Sequence, residues 1–207
     1  MTKTRIFSIS LIPIILILGW LLYDGIASKI RLAEAIAADE QRVIAKLKII
    51  RDAEKAYLTK YGSYTNSFDT LINFITSDSL YITEKTEIII TRDRNDPLFY
   101  KGDSIRIEID TIGIEPVITS VFETNLTDYN WDKLAVIPRF VNDPNNQDKK
   151  FEIFSDKIEK SGVNIDVIEV IDKYPLDETR SDESEIPKRK FLRFGSRTEV
   201  TTSGNWE

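Results

Sequence analysis

An uncharged apolar run near the N-terminus decides the architecture: residues 6–23 read IFSISLIPIILILGWLLY. A helix of about 20 apolar residues crosses the hydrocarbon core of a bilayer, so this run is just long enough to span it. Lys3 and Arg5 precede the run and Asp24 follows it, which favours an N-terminus on the cytoplasmic side. The sequence therefore predicts a single-pass membrane anchor over residues 1–25.

A cleaved secretory signal is the alternative interpretation of this segment, because such signals also combine a basic start with an apolar run. Residues 20–24 offer no Ala-x-Ala cleavage pattern, and Ala27-Ser28 is a late candidate site. Pro13 would kink the span, which membrane helices tolerate. An uncleaved anchor is the favoured interpretation.

A helical stalk is predicted directly after the anchor, over residues 26–62. Neither Gly nor Pro interrupts the chain between Ala27 and Tyr61, and apolar residues recur at the spacing of one helix face. That stripe comprises Ala33, Ile36, Val43, Leu47, Ile50, Tyr57 and Tyr61. Gly62 is a natural C-cap, since glycine enters the left-handed conformation without steric cost.

The stripe admits two interpretations. It either packs on the sheet of its own chain or contacts another protomer, as in a coiled coil or helix bundle. Glu40 and Glu54 interrupt the heptad, which disfavours a long homodimeric zipper. The candidate partner-binding residues of the second interpretation are Ile36, Val43, Leu47 and Ile50.

Residues 63–174 predict a strand-rich soluble domain. Ser67 is a candidate N-cap for a short helix that turns Phe68 and Leu71 inward. Strands are predicted over residues 87–91, 104–110, 114–122, 134–137, 151–154 and 163–171, with a hairpin turn at residues 110–113. The predicted fold class is therefore α+β: a transmembrane helix continues into a long amphipathic helix, and an antiparallel strand-rich domain follows.

The C-terminal segment, residues 175–207, predicts a polar linker and a tail. Its first half is acidic and contains two prolines, but its end is apolar for a free tail. Either the tail docks on the domain or it is a peptide presented to a partner. The candidate partner-binding residues here are Phe191, Phe194 and Trp206.

Composition argues against several function classes. The chain has 207 residues, a net charge of −6, no Cys and no His. The acidic balance disfavours a nucleic-acid partner. The missing residue types remove disulfides, zinc–thiolate sites, the commonest metal ligand and the commonest general base. The sequence thus predicts no catalytic residue, no metal ligand and no cofactor.

Three oxygen-rich or modifiable segments have plainer interpretations. Asp93 and Asp96 could serve acid–base chemistry, but the surrounding Asp93–Pro97 segment is typical of a solvated turn. Residues 142–148 resemble a calcium-binding loop in composition without the spacing of an EF-hand, so a plain loop is favoured. Asn125-Leu126-Thr127 matches a glycosylation sequon, a pattern that is common by chance.

The chain resembles type IV pilins and the pseudopilins of type II secretion in its order of apolar anchor, amphipathic helix and sheet. The local likeness lies in residues 51–57, in Tyr61-Gly62-Ser63-Tyr64 and in residues 68–71, and it covers about the first 75 residues. No Gly-Phe pair precedes the apolar run and no Glu lies within it. The resemblance therefore implies membership of an envelope assembly without implying prepilin processing.

The C-terminal pattern Gly-Ser-x-Thr-Glu…Gly-Asn-Trp-Glu is similar to that of membrane-anchored proteins of Bacteroidota-type bacteria. That likeness implies a bacterial envelope location.

These observations lead to one functional hypothesis and one alternative. The hypothesis is a non-enzymatic, single-pass component of a pilin-like, secretion or motility assembly in the bacterial inner membrane, with a cytoplasmic N-terminus and a periplasmic domain. Its expected partners are the lipid bilayer, through residues 6–23, and other membrane or envelope proteins, including further copies of the chain. The alternative is a membrane-tethered module that binds a ligand or an ion.

Overall fold

A computed structural model describes residues 3–91, 104–122, 126, 128–160 and 162–207. The chain is α+β, with one long N-terminal helix followed by antiparallel sheets. The helices are α1 Lys3–Tyr61, α2 Phe68–Ser77 and α3 Val117–Val121, with 3₁₀ turns at Trp131–Lys133, Pro138–Phe140 and Pro187–Arg189. The strands are β1 Ser79–Ile90, β2 Ser104–Pro116, β3 Glu152–Lys160, β4 Val163–Ile171 and β5 Arg193–Gly195.

Helix α1 is continuous over 59 residues, with Pro13 inside it, and is therefore about 90 Å long. By length and composition it is apolar enough to cross a membrane. It ends where the sequence predicts: Gly62 has φ +74°, and its N–H donates to Leu58 O at 2.8 Å. The predicted C-cap is confirmed.

The second half of α1 is the central helix of the domain core. Val43, Leu47, Ile50 and Ala53 are fully buried. They pack in one cluster with α2, β4 and the C-terminal tail. The predicted boundary at residue 62 therefore does not separate a stalk from a domain, since both sides of it share this core. Only residues 24–38 form a largely exposed stalk between the apolar run and the domain.

Helix α2 forms as predicted and buries Leu71, Phe74 and Ile75. Ser67 occupies the N-cap position, but its side chain makes no capping hydrogen bond. Instead, the Ser67 N–H donates to Thr65 Oγ1 at 3.2 Å. The apolar spacing predicts this helix, but it does not predict that the Ser67 backbone bonds to Thr65.

The first sheet is a two-stranded hairpin of β1 and β2, and this corrects the predicted turn at residues 110–113. β2 runs straight through those residues and pairs with β1 along its whole length, with a bulge where Ile82 and Thr83 face β2. Residues 117–121, predicted as strand, form α3 because Val117 begins a short turn that buries its side chain in the core. The pairing of this long Ile-rich strand with β1 overrides the turn signal of residues 110–113, which contains a single glycine.

The second sheet has the order β3-β4-β5 and is antiparallel throughout. Strands 152–160 and 163–171 confirm the two predictions made there, and Gly162 at φ +79° lies between them. The predicted strand at residues 134–137 is wrong: it contributes only one bridge, from Val136 to Lys150, between two 3₁₀ turns.

Two predicted features lie outside the described residues. The Asp93–Pro97 segment falls there, as do Asn125 and Thr127 of the sequon. The 142–148 loop is described, and Asp143 accepts the Asn145 N–H at 3.0 Å and Asn146 Nδ2 at 2.7 Å. Its carboxylate is thereby engaged within the loop.

Candidate functional site

The predicted partner-binding stripe on α1 lies inside the protein. Val43, Leu47 and Ile50 are fully buried by the chain's own domain, and Ile36 is half-buried just above it. Three of the four residues therefore have no free surface for a partner. For these three, the stripe packs within its own chain and does not contact another protomer. The physical reason is that a seven-residue apolar period marks a helix face that needs covering without saying which element covers it.

The predicted partner-binding tail is also part of the fold. Phe194 is fully buried, Trp206 is half-buried against the same core, and Phe191 is half-buried. Strand β5 pairs with β4, and the Asp172 N–H donates to Leu192 O at 2.8 Å. The tail therefore docks on the domain, and fully buried Phe194 has no free surface for a partner. For half-buried Phe191 and Trp206, partner binding stays a prediction.

Ion pairs hold this docked tail in place. Buried Glu169 accepts hydrogen bonds from Arg193 Nη1 at 3.1 Å and Arg197 Nε at 2.7 Å. At the end of the chain, Arg51 Nη1 on α1 donates to Glu207 Oε1 at 2.6 Å. Within the described ranges, no three side chains of the metal-ligating types converge. These acidic side chains serve the fold through their arginine partners.

A buried ion triad, Asp39–Arg139–Asp172, fastens α1 to the sheet where the helix enters the domain. Arg139 Nη2 lies 2.7 Å from Asp39 Oδ2 and 2.8 Å from Asp172 Oδ2. Both carboxylates are almost completely buried. Burial raises the pKa of Asp172, although the Arg139 charge opposes that shift. Sequence reasoning missed this triad because its members are 33 and 100 residues apart.

Two further charged residues of α1 are buried. Glu54 is fully buried and accepts the Thr65 N–H at 3.1 Å, and burial raises its pKa to about 8. Lys46 Nζ donates to Lys133 O at 2.5 Å and Val136 O at 2.6 Å, and burial lowers its pKa to about 8. The interruption of the stripe by Glu54 was a sequence signal of this burial, whereas Lys46 gave none.

A cavity of about 370 Å³ opens beside Lys46. Its wall carries three basic side chains, Arg42, Lys46 and Lys133, together with apolar surface from Ile49 and Val141. This volume lies at the lower end of small-molecule sites. Each basic group already donates to a backbone carbonyl: Arg42 Nε to Ala38 O, Lys46 Nζ to Lys133 O and Val136 O, and Lys133 Nζ to Val141 O. A small organic anion in the cavity would share these donors.

The β1–β2 hairpin carries most of the large apolar side chains that are exposed in the described part of the domain. By the register of the pairing, six apolar side chains share one face, since alternate residues of a strand point the same way. This apolar face consists of Tyr81, Ile89, Ile105, Ile107, Ile109 and Ile114, each between 49% and 66% exposed. Lys85 and Glu87 of β1 lie among them, and Ile112, at the bulge, is exposed as well. Only the base of the hairpin, around Leu80, contacts the core.

Such a hairpin is unusual as a solvated element. A two-stranded hairpin is at best marginally stable in water, and contiguous apolar patches of this kind mark interaction sites. The alternation of Ile105, Ile107 and Ile109 with Arg106 and Glu108 is typical of a strand that buries one of its two faces. The structure leaves the isoleucine face uncovered, which makes the hairpin the best candidate for a functional surface.

No protein-family model, curated protein or solved structure matches this chain.

Proposed function

We propose that this chain is a non-enzymatic, membrane-anchored assembly protein whose domain presents the β1–β2 hairpin to partner proteins. Residues 6–23 cross the bacterial inner membrane, the N-terminus is cytoplasmic, and the domain lies in the periplasm. The observation that carries the proposal is the uncovered apolar face of the hairpin. The pilin-like order of anchor, helix and sheet supports a place in an envelope assembly.

The division of α1 supports this role. Its apolar N-terminal part is exposed along residues 13–23, as a lipid-facing helix requires. The exposed stalk of residues 24–38 then holds the domain about 22 Å from the anchor. The buried ion triad and the shared core attach the domain to α1. A partner that binds the hairpin is thereby held at a set height above the membrane.

Site-specific photo-crosslinking in native membranes tests the proposal. A benzophenone amino acid replaces Ile114 on the apolar face, and the same amino acid replaces exposed Lys48 on α1 as the matched control. We expect discrete protein adducts from position 114 and none from position 48. Adding Ile109→Ser should abolish the adduct, because it breaks the same apolar face without touching the core. Equal labelling at both positions, or none at 114, contradicts the proposed function.

The cavity beside Lys46 favours a second candidate function, a membrane-tethered module that binds a small organic anion. The three basic side chains at an apolar wall are the observation behind it. A medium-chain fatty carboxylate is the probe. It should raise the melting temperature of the wild-type chain and leave that of a Lys133→Ala variant unchanged. A shift of the same size in both rules out this site.

A further inference from the structure

We propose that the outer edge of β2 pairs with β2 of a second copy of this chain, antiparallel and centred on Ile107. The two hairpins then form one four-stranded sheet. This inference rests on the proposed function, because it names a partner for the hairpin: the chain itself. The contact is made by the edge of β2, and the charged and apolar residues of this strand are complementary to those of a second copy.

The edge of β2 is available for such pairing. β2 is 13 residues long and pairs with β1 on one side only; no other strand of the described chain joins this sheet. An unpaired edge presents a row of backbone N–H and C=O groups that another strand can satisfy. Pairing two hairpins also brings the sheet above the two strands that are marginal in water.

The sequence of β2 is complementary to itself when it is read antiparallel. Residues 104–110 are SIRIEID, and Ile107 is the centre of the pattern. With Ile107 opposite Ile107 of the second copy, Ile105 lies opposite Ile109. On the other face, Arg106 lies opposite Glu108. Each isoleucine therefore meets an isoleucine, Arg106 meets Glu108, and Ser104 meets Asp110 at the two ends of the segment. Apolar pairs and opposite-charge pairs of this kind stabilise neighbouring strands.

Within the hairpin, neither charge lies opposite a complementary residue of β1. Across from Arg106 lies Ile88, and across from Glu108 lies Thr86. Neither charged side chain forms an ion pair with another described residue. A second copy would supply the missing partner to both, twice in each dimer, because a two-fold interface repeats every contact.

The edge of β1 is a poorer match for self-pairing. Centring on Thr86 would place Lys85 opposite Glu87, which is favourable. The next positions, however, would set Glu84 against Ile88, so a charge would lie against an apolar side chain. Complementarity over residues 104–110 therefore favours β2 over the corresponding segment of β1.

Cysteine pairing on the full-length chain in detergent micelles tests the register. The wild-type chain has no Cys, so each substitution gives one thiol. Ile107→Cys should form a disulfide dimer on mild oxidation, because directly opposite residues meet the distance that a disulfide requires. Ile105→Cys and Ile109→Cys should each stay mostly monomeric alone and cross-link when mixed. The matched control is Thr83→Cys, exposed on the same face of β1, which should remain monomeric.

Charge reversal tests the same pairing without cysteines. Arg106→Glu should weaken dimerisation about tenfold, because two attractive cross-strand pairs per dimer become repulsive. The double variant Arg106→Glu/Glu108→Arg restores both pairs in reversed order and should recover the wild-type affinity in sedimentation velocity. Both side chains are exposed, so the fold is unaffected.

The outcomes separate this inference from the proposed function. A monomeric Ile107→Cys chain, or a double variant no better than the single one, overturns the β2 pairing. If photo-crosslinks from position 114 then contain a different protein, the proposed function stands with another partner. If position 114 gives no adduct while Ile107→Cys dimerises, the self-pairing stands and binding of a partner protein to the apolar face is refuted.

Discussion

The burial of Glu54 makes the stability of this protein fall as the pH rises. Its carboxyl has a pKa of about 8 in the folded chain, against an ordinary value of 4.5. Between those two values the folded state holds a proton that the unfolded state has released. The free energy of unfolding therefore decreases by about 1.4 kcal/mol per pH unit across this window. From pH 5 to pH 7 the loss amounts to about 2–3 kcal/mol.

The variant Glu54→Gln removes this dependence. Glutamine cannot ionise, and its side-chain oxygen can still accept the Thr65 N–H that Glu54 now accepts at 3.1 Å. Its amide nitrogen would replace Glu54 Oε1, which has no hydrogen-bond partner among the described residues. The unpaired amide nitrogen of the glutamine lowers the free energy of unfolding by about 1–3 kcal/mol at every pH. The prediction is thus a change in the slope of stability against pH, whatever the offset.

The assay is urea unfolding of the full-length chain in detergent micelles at pH values from 5 to 7.5, followed by tryptophan fluorescence. The stability of Glu54→Gln relative to wild type should rise steadily over this range. Glu34→Gln, at an exposed position of the same helix, is the control and should follow the wild type. The pH range stops below 8 because of Lys46, whose pKa is lowered from 10.5 to about 8 in the folded chain. Between these two pH values the Lys46 contribution makes the free energy of unfolding rise with pH. A relative stability of Glu54→Gln that does not change with pH refutes the argument.

Two further predictions concern the fold. Arg139→Met should lower the free energy of unfolding by about 3–5 kcal/mol, since it leaves the two carboxylates of the buried ion triad without their cation; a loss below about 1 kcal/mol in urea unfolding would show that the triad is not needed. Gly195→Ala should lower the melting temperature far more than Gly62→Ala does. Both glycines have positive φ, but only at Gly195 would a Cβ come within 2.0 Å of Ile168 O; equal losses would refute a role for that contact.

The local elements of this protein were largely predictable. The apolar run, the uninterrupted helix to Tyr61 and its end at Gly62 follow from composition and backbone conformation within a few residues of each point. The same holds for α2 and for the β3–β4 pair, whose periods are local. The absence of His and Cys likewise limits the chemistry that this chain's side chains can perform, and composition alone establishes that limit.

The predictions that failed depend on contacts between distant residues. A turn signal at residues 110–113 was overridden because β2 pairs with a strand that begins at Ser79, on the other side of a long connection. The tail docks because its aromatic residues fill space that the helix and the second sheet leave open. The buried charges of α1 were hidden for the same reason: their partners lie elsewhere in the chain.

By itself, the sequence determined that a long helix with a membrane-compatible start precedes an α+β domain, because helix and strand periods are written in neighbouring residues. Only the tertiary structure decided which apolar surfaces the chain covers and which it leaves exposed. The stripe on α1 and the Ile alternation of β2 are equally apolar as patterns. Packing placed Leu47 in the core and left Ile107 on the surface, because burial depends on which distant elements arrive to cover a face.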